Sequence, residues 1–192
     1  MAVTILGLIG HPGSGKDAVA DLLVETGEWA KIAFADPVRE AMWHMNPVIV
    51  DEGIVGGFDD YRNLLETIGY EAAKREYPEV RRLLTSFATD AVRGVIGPNT
   101  WTDLWKAAAQ EHMAEGYRIV APDVRFENEV DTIRWLGLSQ AKIARVVKPG
   151  VGPEKGHESE ALASRFPGDF PIHNNGDLEN LKIAIEALNL DG

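Results

Sequence analysis

The sequence contains no cysteine and has few cationic side chains relative to acidic ones. Without cysteine, a disulfide framework and a thiolate metal site are both excluded, and a reducing compartment is compatible with the composition. Lysine and arginine together number 19 against 30 acidic residues, which gives a net charge of −11. Because a broad nucleic-acid surface requires dense Lys and Arg, direct binding of nucleic acid is not expected. An acidic protein that binds anions must gather its few cations in one place.

Long apolar runs are also missing. The apolar run Val3–Ile9 is too short to span a bilayer, and Met1–Thr4 lacks the basic start of a secretory signal. We therefore expect a cytoplasmic protein without a membrane anchor. A length of 192 residues is sufficient for one domain with a sizeable core.

A glycine-rich segment with the sequence GHPGSGKD follows this apolar run at residues 10–17. Val19, Leu22 and Leu23 then recur at helical spacing, so the pattern is strand, turn and helix, as a phosphate-binding loop requires. Glycines allow backbone N–H groups to surround phosphate oxygens, and the helix N-terminus adds positive charge. The residues predicted to bind nucleotide phosphates are Gly10, Gly13, Ser14, Gly15, Lys16 and Asp17.

Position 17 carries Asp where most such loops place a Ser or Thr whose hydroxyl reaches Mg²⁺. A carboxylate at Asp17 can hold the metal directly or through water, or it can simply cap the helix. Asp123 follows a predicted strand, and ligands gather at the carboxyl end of strands in open α/β sheets. Its carboxylate can hold Mg²⁺ or its water, orient an attacking oxygen, or cap the next helix. Arg125 is either a phosphate clamp in the same cleft or a surface arginine.

Strands alternate with helices along most of the chain, with strands predicted at 3–9, 29–34, 117–121, 141–147 and 170–173. This alternation predicts a mainly parallel five-stranded sheet with right-handed crossovers, in a three-layer α/β/α P-loop fold. We expect one domain, 1–192, in which 1–45 and 117–192 form the core and 46–116 a helical insertion. Within the insertion the pattern predicts a loop over 46–58, one helix from Leu64 to Ala73 and one from Val80 to Val95.

Several charged residues point to a second substrate site. Arg82 and Arg93 are 11 positions apart, about three α-helical turns, which places them on one helix face. Asp90 can pair with Arg93 or accept a hydrogen bond from a sugar or base. Each charge alone is typical of a solvated surface, but together with Arg39, beside a phosphate loop, they predict a binding site for an acceptor. Trp101 either stacks on a base or packs in the core.

A Gly- and Pro-rich segment at about 148–165 is predicted to be a lid. Lys148, Lys155 and Arg165 flank or occupy it. It is either a mobile basic lid over the transferring phosphates or an exposed loop. The five histidines show no metal-ligand spacing, and none is assigned to a metal.

These residues, taken in order, resemble the phage-type deoxynucleoside monophosphate kinases, within the P-loop nucleoside monophosphate kinase group. The resemblance covers nearly the whole chain. It rests on Gly15-Lys16-Asp17, Phe34–Arg39, Arg82–Arg93, Trp101, Asp123–Glu129, Val146–Gly150, His157–Glu160 and Asn174–Gly176.

The resemblance implies transfer of the γ-phosphoryl group of ATP to a deoxynucleoside monophosphate with Mg²⁺, for nucleotide supply to DNA synthesis, in the host cytoplasm if the chain is phage-encoded. It implies catalysis by Lys16, Asp123 and Arg125, with Asp17 and Asp123 near the metal. It places Ala18 with the ATP phosphates, and Asn174, Asn175 and Gly176 near the ATP base. The acceptor site it implies contains Asp36, Arg39, Arg82, Asp90, Arg93 and Trp101.

The sequence departs from the family pattern at several positions. Ala18 stands where the family often has Thr, and Lys148 replaces a frequent Arg, exchanging a bidentate fork for a point charge. Thr85 and Ala88 replace a common Gln and Gly. The alternatives are another small-molecule P-loop kinase similar to dephospho-coenzyme A kinase, a nucleic-acid-stimulated P-loop ATPase, and a nucleotide-binding protein without catalysis. The sequence allows a homodimer and does not say which bases are accepted.

Overall fold

A computed structural model describes residues 2–50, 58–152 and 161–190 of the chain. The chain divides into two compact units. The first comprises Met1–Phe34 and Thr102–Gly192 and contains a five-stranded sheet. The second comprises Ala35–Trp101 and contains most of the predicted insertion.

All strands of the five-stranded sheet are parallel, and their order is β2-β5-β1-β6-β7. The strands of the described chain are β1 Ile5–Ile9, β2 Trp29–Lys31, β3 Val48–Val50, β4 Phe58–Asp60, β5 Arg118–Ala121, β6 Ala141–Val147 and β7 Phe170–His173. The predicted parallel five-stranded sheet is therefore confirmed. The second strand is shorter than the predicted 29–34.

Helices of the first unit cover both faces of this sheet, and further helices lie in the second unit. The helices are α1 Lys16–Val24, α2 Asp36–Met45, α3 Tyr61–Ile68, α4 Tyr70–Glu76, α5 Pro78–Thr85, a π-helix Ser86–Ile96, α6 Thr100–Ala114, α7 Glu127–Gly137, a 3₁₀ turn Leu138–Gln140, α8 Ala161–Arg165 and α9 Leu178–Glu186. None of those in the described ranges combines the length and apolar character that crossing a bilayer requires.

Strand β1 lies at the centre of the core and is buried on both faces. Because side chains alternate along a strand, Ile5 and Ile9 contribute to one apolar cluster and Leu6 and Leu8 to another. The first cluster includes residues of α6, α7 and α8, and the second includes residues of α1 and α9. The sheet with a helical layer on each face is the predicted three-layer arrangement.

The prediction of a loop over 46–58 was wrong at both ends, where the structure has strands β3 and β4. Strands β3 and β4 pair antiparallel, with Val48 opposite Asp60 and Val50 opposite Phe58. The run Val48-Ile49-Val50 is β-branched, and Ile49 is buried while its two neighbours are exposed, as expected for a strand with one packed face. Residues 51–57, with their glycines, lie outside the described residues.

The single helix predicted from Leu64 to Ala73 is two helices. Gly69 separates α3 from α4 and has φ +80° and ψ 159°, a conformation that favours glycine. The apolar spacing continues across the break because both helices contribute to one cluster, in which Leu64 and Ala73 are both buried. The periodicity identified the buried face but not the interruption.

The helix predicted from Val80 to Val95 begins as α-helix and continues as π-helix from Ser86 to Ile96. In a π-helix the hydrogen bonds run between residues five apart and each turn is wider. The inference that Arg82 and Arg93 share a face was therefore wrong in its basis, because three α-helical turns do not separate them. The apolar spacing from Val80 to Val95 is that of an α-helix, and Val95, at the end of the predicted apolar face, is 81% exposed.

Candidate functional site

The residues that directly follow β1, β5, β6 and β7 lie at one edge of the sheet, because parallel strands all end on the same side. Two hydrogen bonds connect them: the N–H of Val124 donates to the carbonyl of Leu8 over 3.2 Å, and that of Asn174 to Val147 over 2.8 Å. Open α/β sheets bind ligands at this edge. The first unit thus brings together the glycine-rich loop, Asp123 and Asn174.

The glycine-rich loop between β1 and α1 is shaped to present its backbone N–H groups. Gly13 and Gly15 have φ values of +79° and +98°, which disfavour any residue with a side chain. Within the described part of the chain, the N–H groups of these two glycines donate no hydrogen bond. Donors left available beside the N-terminus of α1 are what an anion such as phosphate requires.

The ammonium group of Lys16 is held over this loop. Its Nζ donates to the carbonyl of Gly10 over 2.8 Å and to that of His11 over 3.0 Å. Both acceptors are backbone carbonyls of the loop itself, so the cation lies against the loop. The placement agrees with the role predicted for Lys16, which stays a prediction.

Asn174 contacts the glycine-rich loop directly. Its side chain is 8% exposed, and its Nδ2 donates to the backbone carbonyl of Ser14 over 2.9 Å. The Oγ atom of Ser14 is buried and has no hydrogen-bond partner within the described residues. Sequence reasoning placed Asn174 near the ATP base and missed this contact, while Asn175 and Gly176 are exposed beside it.

Asp17 lies in the first turn of α1 with its side chain 79% exposed. Its Oδ1 is 3.0 Å from Nζ of Lys31, which is also 2.9 Å from Oδ1 of Asp21. Burial lowers the pKa of Lys31, but hydrogen bonds to Asp21 and Asp17 outweigh this effect, and the pKa is raised overall. No local pattern in the sequence indicates this pairing. Ala18, the next residue, is half-buried and supplies no hydroxyl group.

Asp123 and Arg125 lie just beyond the carboxyl end of β5. Oδ1 of Asp123 accepts a hydrogen bond from the N–H of Phe34 over 2.8 Å. Arg125 is exposed, and its guanidinium makes no hydrogen bond or ion pair with the described part of the chain. The buried carboxylate of Glu129 accepts from the N–H groups of Arg125 and Phe126, over 2.6 and 3.0 Å. Sequence reasoning missed Glu129, although a Glu in the first turn of a helix is a recognisable capping signal.

Within the second unit, the predicted acceptor residues Asp36 and Arg39 form an ion pair of 2.9 Å on the first turns of α2. The guanidinium of Arg39 lies over the ring of Tyr70, 4.8 Å from its centroid, and Lys74 lies 5.6 Å from the same centroid. Two cations thus gather around one aromatic ring of α4.

The other predicted acceptor residues lie on α5, the π-helix and α6. Arg82 forms a two-bond pair with Glu79, both distances being 2.7 Å, and this hydrogen bonding lowers the pKa of Glu79. Asp90 is exposed and Arg93 is half-buried. Trp101 is 6% exposed and its indole N–H donates to the carbonyl of Ala88 over 3.0 Å, which favours core packing over base stacking.

The predicted lid is described only in part. Lys148 is exposed just after β6, and Lys155 lies outside the described residues. Arg165 ends α8 and pairs with Glu127 over 2.8 Å, so its charge is partly satisfied within the first unit. Movement of this segment and the part each cation plays stay predictions.

Comparison with known proteins identifies the family. Residues 54–185 match the family described as deoxynucleotide monophosphate kinase, which is more than half of the chain. A provisionally named deoxynucleotide monophosphate kinase of Acanthamoeba polyphaga mimivirus is 29% identical over 195 residues, covering 92% of this chain and 91% of that protein. The deoxynucleotide monophosphate kinase of Enterobacteria phage T4 is 32% identical over 103 residues, covering 53% of this chain and 42% of that protein.

Solved structures show weaker likenesses. APS kinase from Mycobacterium tuberculosis has a TM-score of 0.43 at 14% identity and covers 98% of this chain and 96% of its own. Shikimate kinase from Aquifex aeolicus has a TM-score of 0.42 at 14% identity, with coverage of 98% and 99%. Scores this low say nothing of the substrate, and the family match decides the relationship. The chain belongs to the deoxynucleotide monophosphate kinase family.

Proposed function

We propose that this chain transfers the γ-phosphoryl group of ATP to a deoxynucleoside monophosphate and releases ADP and the deoxynucleoside diphosphate. Membership of the family supports both the reaction and the class of acceptor. The observation that carries the proposal is the glycine-rich loop, where available N–H groups, the start of α1 and the Lys16 ammonium surround one small region. That combination suits the phosphates of a nucleotide.

The reaction needs little covalent chemistry from the protein. An oxygen of the acceptor's phosphate forms a bond to the γ-phosphorus as the bond from that phosphorus to the β–γ bridging oxygen breaks, and ADP carries away the electron pair. Rate then depends on alignment and on cations around the charge that develops. Lys16 binds and neutralises the donor phosphates in this proposal, and Arg125 supplies a guanidinium to the phosphates between the two nucleotides.

The residues present fit a Mg²⁺ ion that is bound mainly by substrate phosphates and water. No cluster of three or more metal-binding side chains occurs within the described ranges. Mg²⁺ usually takes one or two carboxylates together with substrate phosphates. Asp123 would supply the first carboxylate, at the edge of the sheet that carries the loop, and Asp17 would act through water because Lys31 already pairs with it. When bound, the ion neutralises phosphate charge.

The acceptor would bind to residues of the second unit. Arg39, with Asp36 and Tyr70 fixing its guanidinium, is suited to a phosphate or to a nucleobase edge. Arg82, Asp90 and Arg93 complete the proposed set, with Trp101 supporting it from the core. Four further expectations stay predictions: that the chain forms a homodimer, that it does not bind nucleic acid directly, that it is located in the cytoplasm, and that it divides into core, insertion and lid.

The test is an acceptor panel. The purified chain, ATP and MgCl₂ are incubated separately with each of the four deoxynucleoside monophosphates and with dephospho-coenzyme A, and the products are separated by anion exchange. We expect at least one deoxynucleoside diphosphate, formed without added DNA, and no product from dephospho-coenzyme A. Phosphorylation of dephospho-coenzyme A alone, or ATP binding without any acceptor product, would overturn the proposal.

A further inference from the structure

The contact between Asn174 and the phosphate-binding loop joins parts of the chain that are 160 positions apart. The backbone N–H of Asn174 donates to the carbonyl of Val147 over 2.8 Å, which fixes the residue beyond β7 against the end of β6. Its side-chain amide then reaches the carbonyl of Ser14 over 2.9 Å. A side chain only 8% exposed and held at both ends has little freedom to move.

The bond to Ser14 determines where the next N–H group points. A trans peptide is planar, and its C=O and N–H directions are opposed. An amide that draws the Ser14 carbonyl toward Asn174 therefore turns the N–H of Gly15 the other way. That N–H donates no hydrogen bond within the described residues, as expected for a donor reserved for a ligand.

The packing at this contact leaves no room for a side chain at position 15. A Cβ added at Gly15 would clash with the amide nitrogen of Asn174. Gly15 also has φ +98°, so glycine is required both by its conformation and by the approach of this amide. The loop and Asn174 are thus fitted to each other.

We propose that Asn174 is a positioning residue that aims the Gly15 N–H at the donor phosphates, rather than a residue that binds the ATP base. The inference deepens the proposed function and rests on it through the binding of ATP in this loop. Loss of the amide would weaken ATP binding because the Ser14–Gly15 peptide could rotate. It would leave use of the acceptor almost unchanged.

The experiment compares Asn174→Ala, Asn174→Asp and the control Ile172→Val, which shortens a buried side chain of the preceding strand β7. For Asn174→Ala we expect the KM for ATP to rise about tenfold, the effect of one lost hydrogen bond, and the KM for the acceptor to change less than about twofold. Ile172→Val should lower the thermal unfolding midpoint with both KM values unchanged.

Asn174→Asp adds a readout that a purely structural role would not move. At about pH 8 the carboxylate faces the Ser14 carbonyl and the two acceptors repel, whereas at about pH 5.5 a buried carboxyl group binds a proton and can donate again. The ratio of the KM for ATP in Asn174→Asp to that in the wild type, measured at the same pH, should therefore fall toward one as the pH is lowered.

A ratio that does not change with pH, or equal losses for ATP and acceptor, would overturn the positioning role. The Kd of ATP, measured by calorimetry without acceptor, separates this inference from the proposed function. If the wild-type chain phosphorylates no monophosphate, the proposed function fails, yet an approximately tenfold weaker Kd for Asn174→Ala still supports the positioning role, and an unchanged Kd overturns it.

Discussion

The carboxylate of Asp123 accepts a hydrogen bond from the backbone N–H of Phe34 over 2.8 Å, although the two residues are 89 positions apart. Strand β2 ends at Lys31, so the N–H of Phe34 lies beyond the ladder and takes its acceptor from a side chain. One oxygen of Asp123 is thereby fixed at the carboxyl edge of the sheet. Because one oxygen has a structural partner, substitutions that keep or remove that oxygen can distinguish a structural role of Asp123 from a catalytic one.

Asp123→Asn keeps an oxygen for the Phe34 N–H but removes the negative charge. We expect kcat to fall by at least about 100-fold while the free energy of unfolding changes by less than about 0.5 kcal/mol. Asp123→Ala leaves the N–H unpaired and should also lose about 1 kcal/mol of stability. Kinase assays and urea denaturation measure the two effects. Wild-type activity in Asp123→Asn would limit Asp123 to a structural role.

Lys16→Ala removes the ammonium group from the glycine-rich loop. Turnover should fall by about 100-fold or more, roughly 3 kcal/mol or more in the activation barrier, because the charge on the transferring phosphates is no longer neutralised. Steady-state kinetics measure the loss. Lys182→Ala, which removes an exposed lysine of α9, serves as the control and should retain wild-type turnover. Near-normal activity of Lys16→Ala would remove this residue from the mechanism.

Arg93→Ala tests the proposed acceptor site. The KM for the deoxynucleoside monophosphate should rise by at least about tenfold, as for a lost charge-assisted hydrogen bond, with a smaller change in the KM for ATP. Arg75→Ala provides a matched control in the same unit, because Arg75 is an exposed arginine paired only with the neighbouring Glu76 among the described residues. Equal losses for both substrates in Arg93→Ala would contradict the assignment of the site.

Tyr61→Phe is expected to preserve or increase stability. The Tyr61 hydroxyl is buried and has no hydrogen-bond partner in the described ranges, so its removal should raise the free energy of unfolding by about 1 kcal/mol. Burial, together with the nearby Tyr70, raises the pKa of Tyr61 to about 12, although Arg39 opposes the change. The measurement is urea denaturation at about pH 8.

The pH dependence gives an independent check on Tyr61. An unfolded tyrosine ionises near pH 10, while the folded one stays protonated to about pH 12, so its contribution to stability is complete below about pH 10 and is lost as the pH rises toward 12. Tyr61→Phe should lack this loss. Tyr117→Phe, at an exposed position, should keep it. If Tyr61→Phe loses as much stability as the wild type between about pH 10 and 12, the loss does not come from ionisation of Tyr61.

The local sequence determined the features that depend on neighbours along the chain. The turn conformation of the glycine-rich loop, the five parallel strands and the bounds of β6 and β7 followed from residue types and periodicity, because backbone conformation and alternating burial act over a few residues. The resemblance to the kinase family was confirmed by the match of residues 54–185 to that family.

Only the tertiary structure decided which distant groups meet. Three contacts depend on strand order and loop shape, which no local pattern records. They join Asn174 to Ser14, Asp123 to Phe34, and Lys31 to the carboxylates of Asp17 and Asp21. The antiparallel pairing of β3 with β4 and the change to a π-helix at Ser86 escaped prediction for a related reason. Apolar spacing marks which side chains are buried, but the backbone hydrogen bonds that define these elements are chosen by packing in three dimensions.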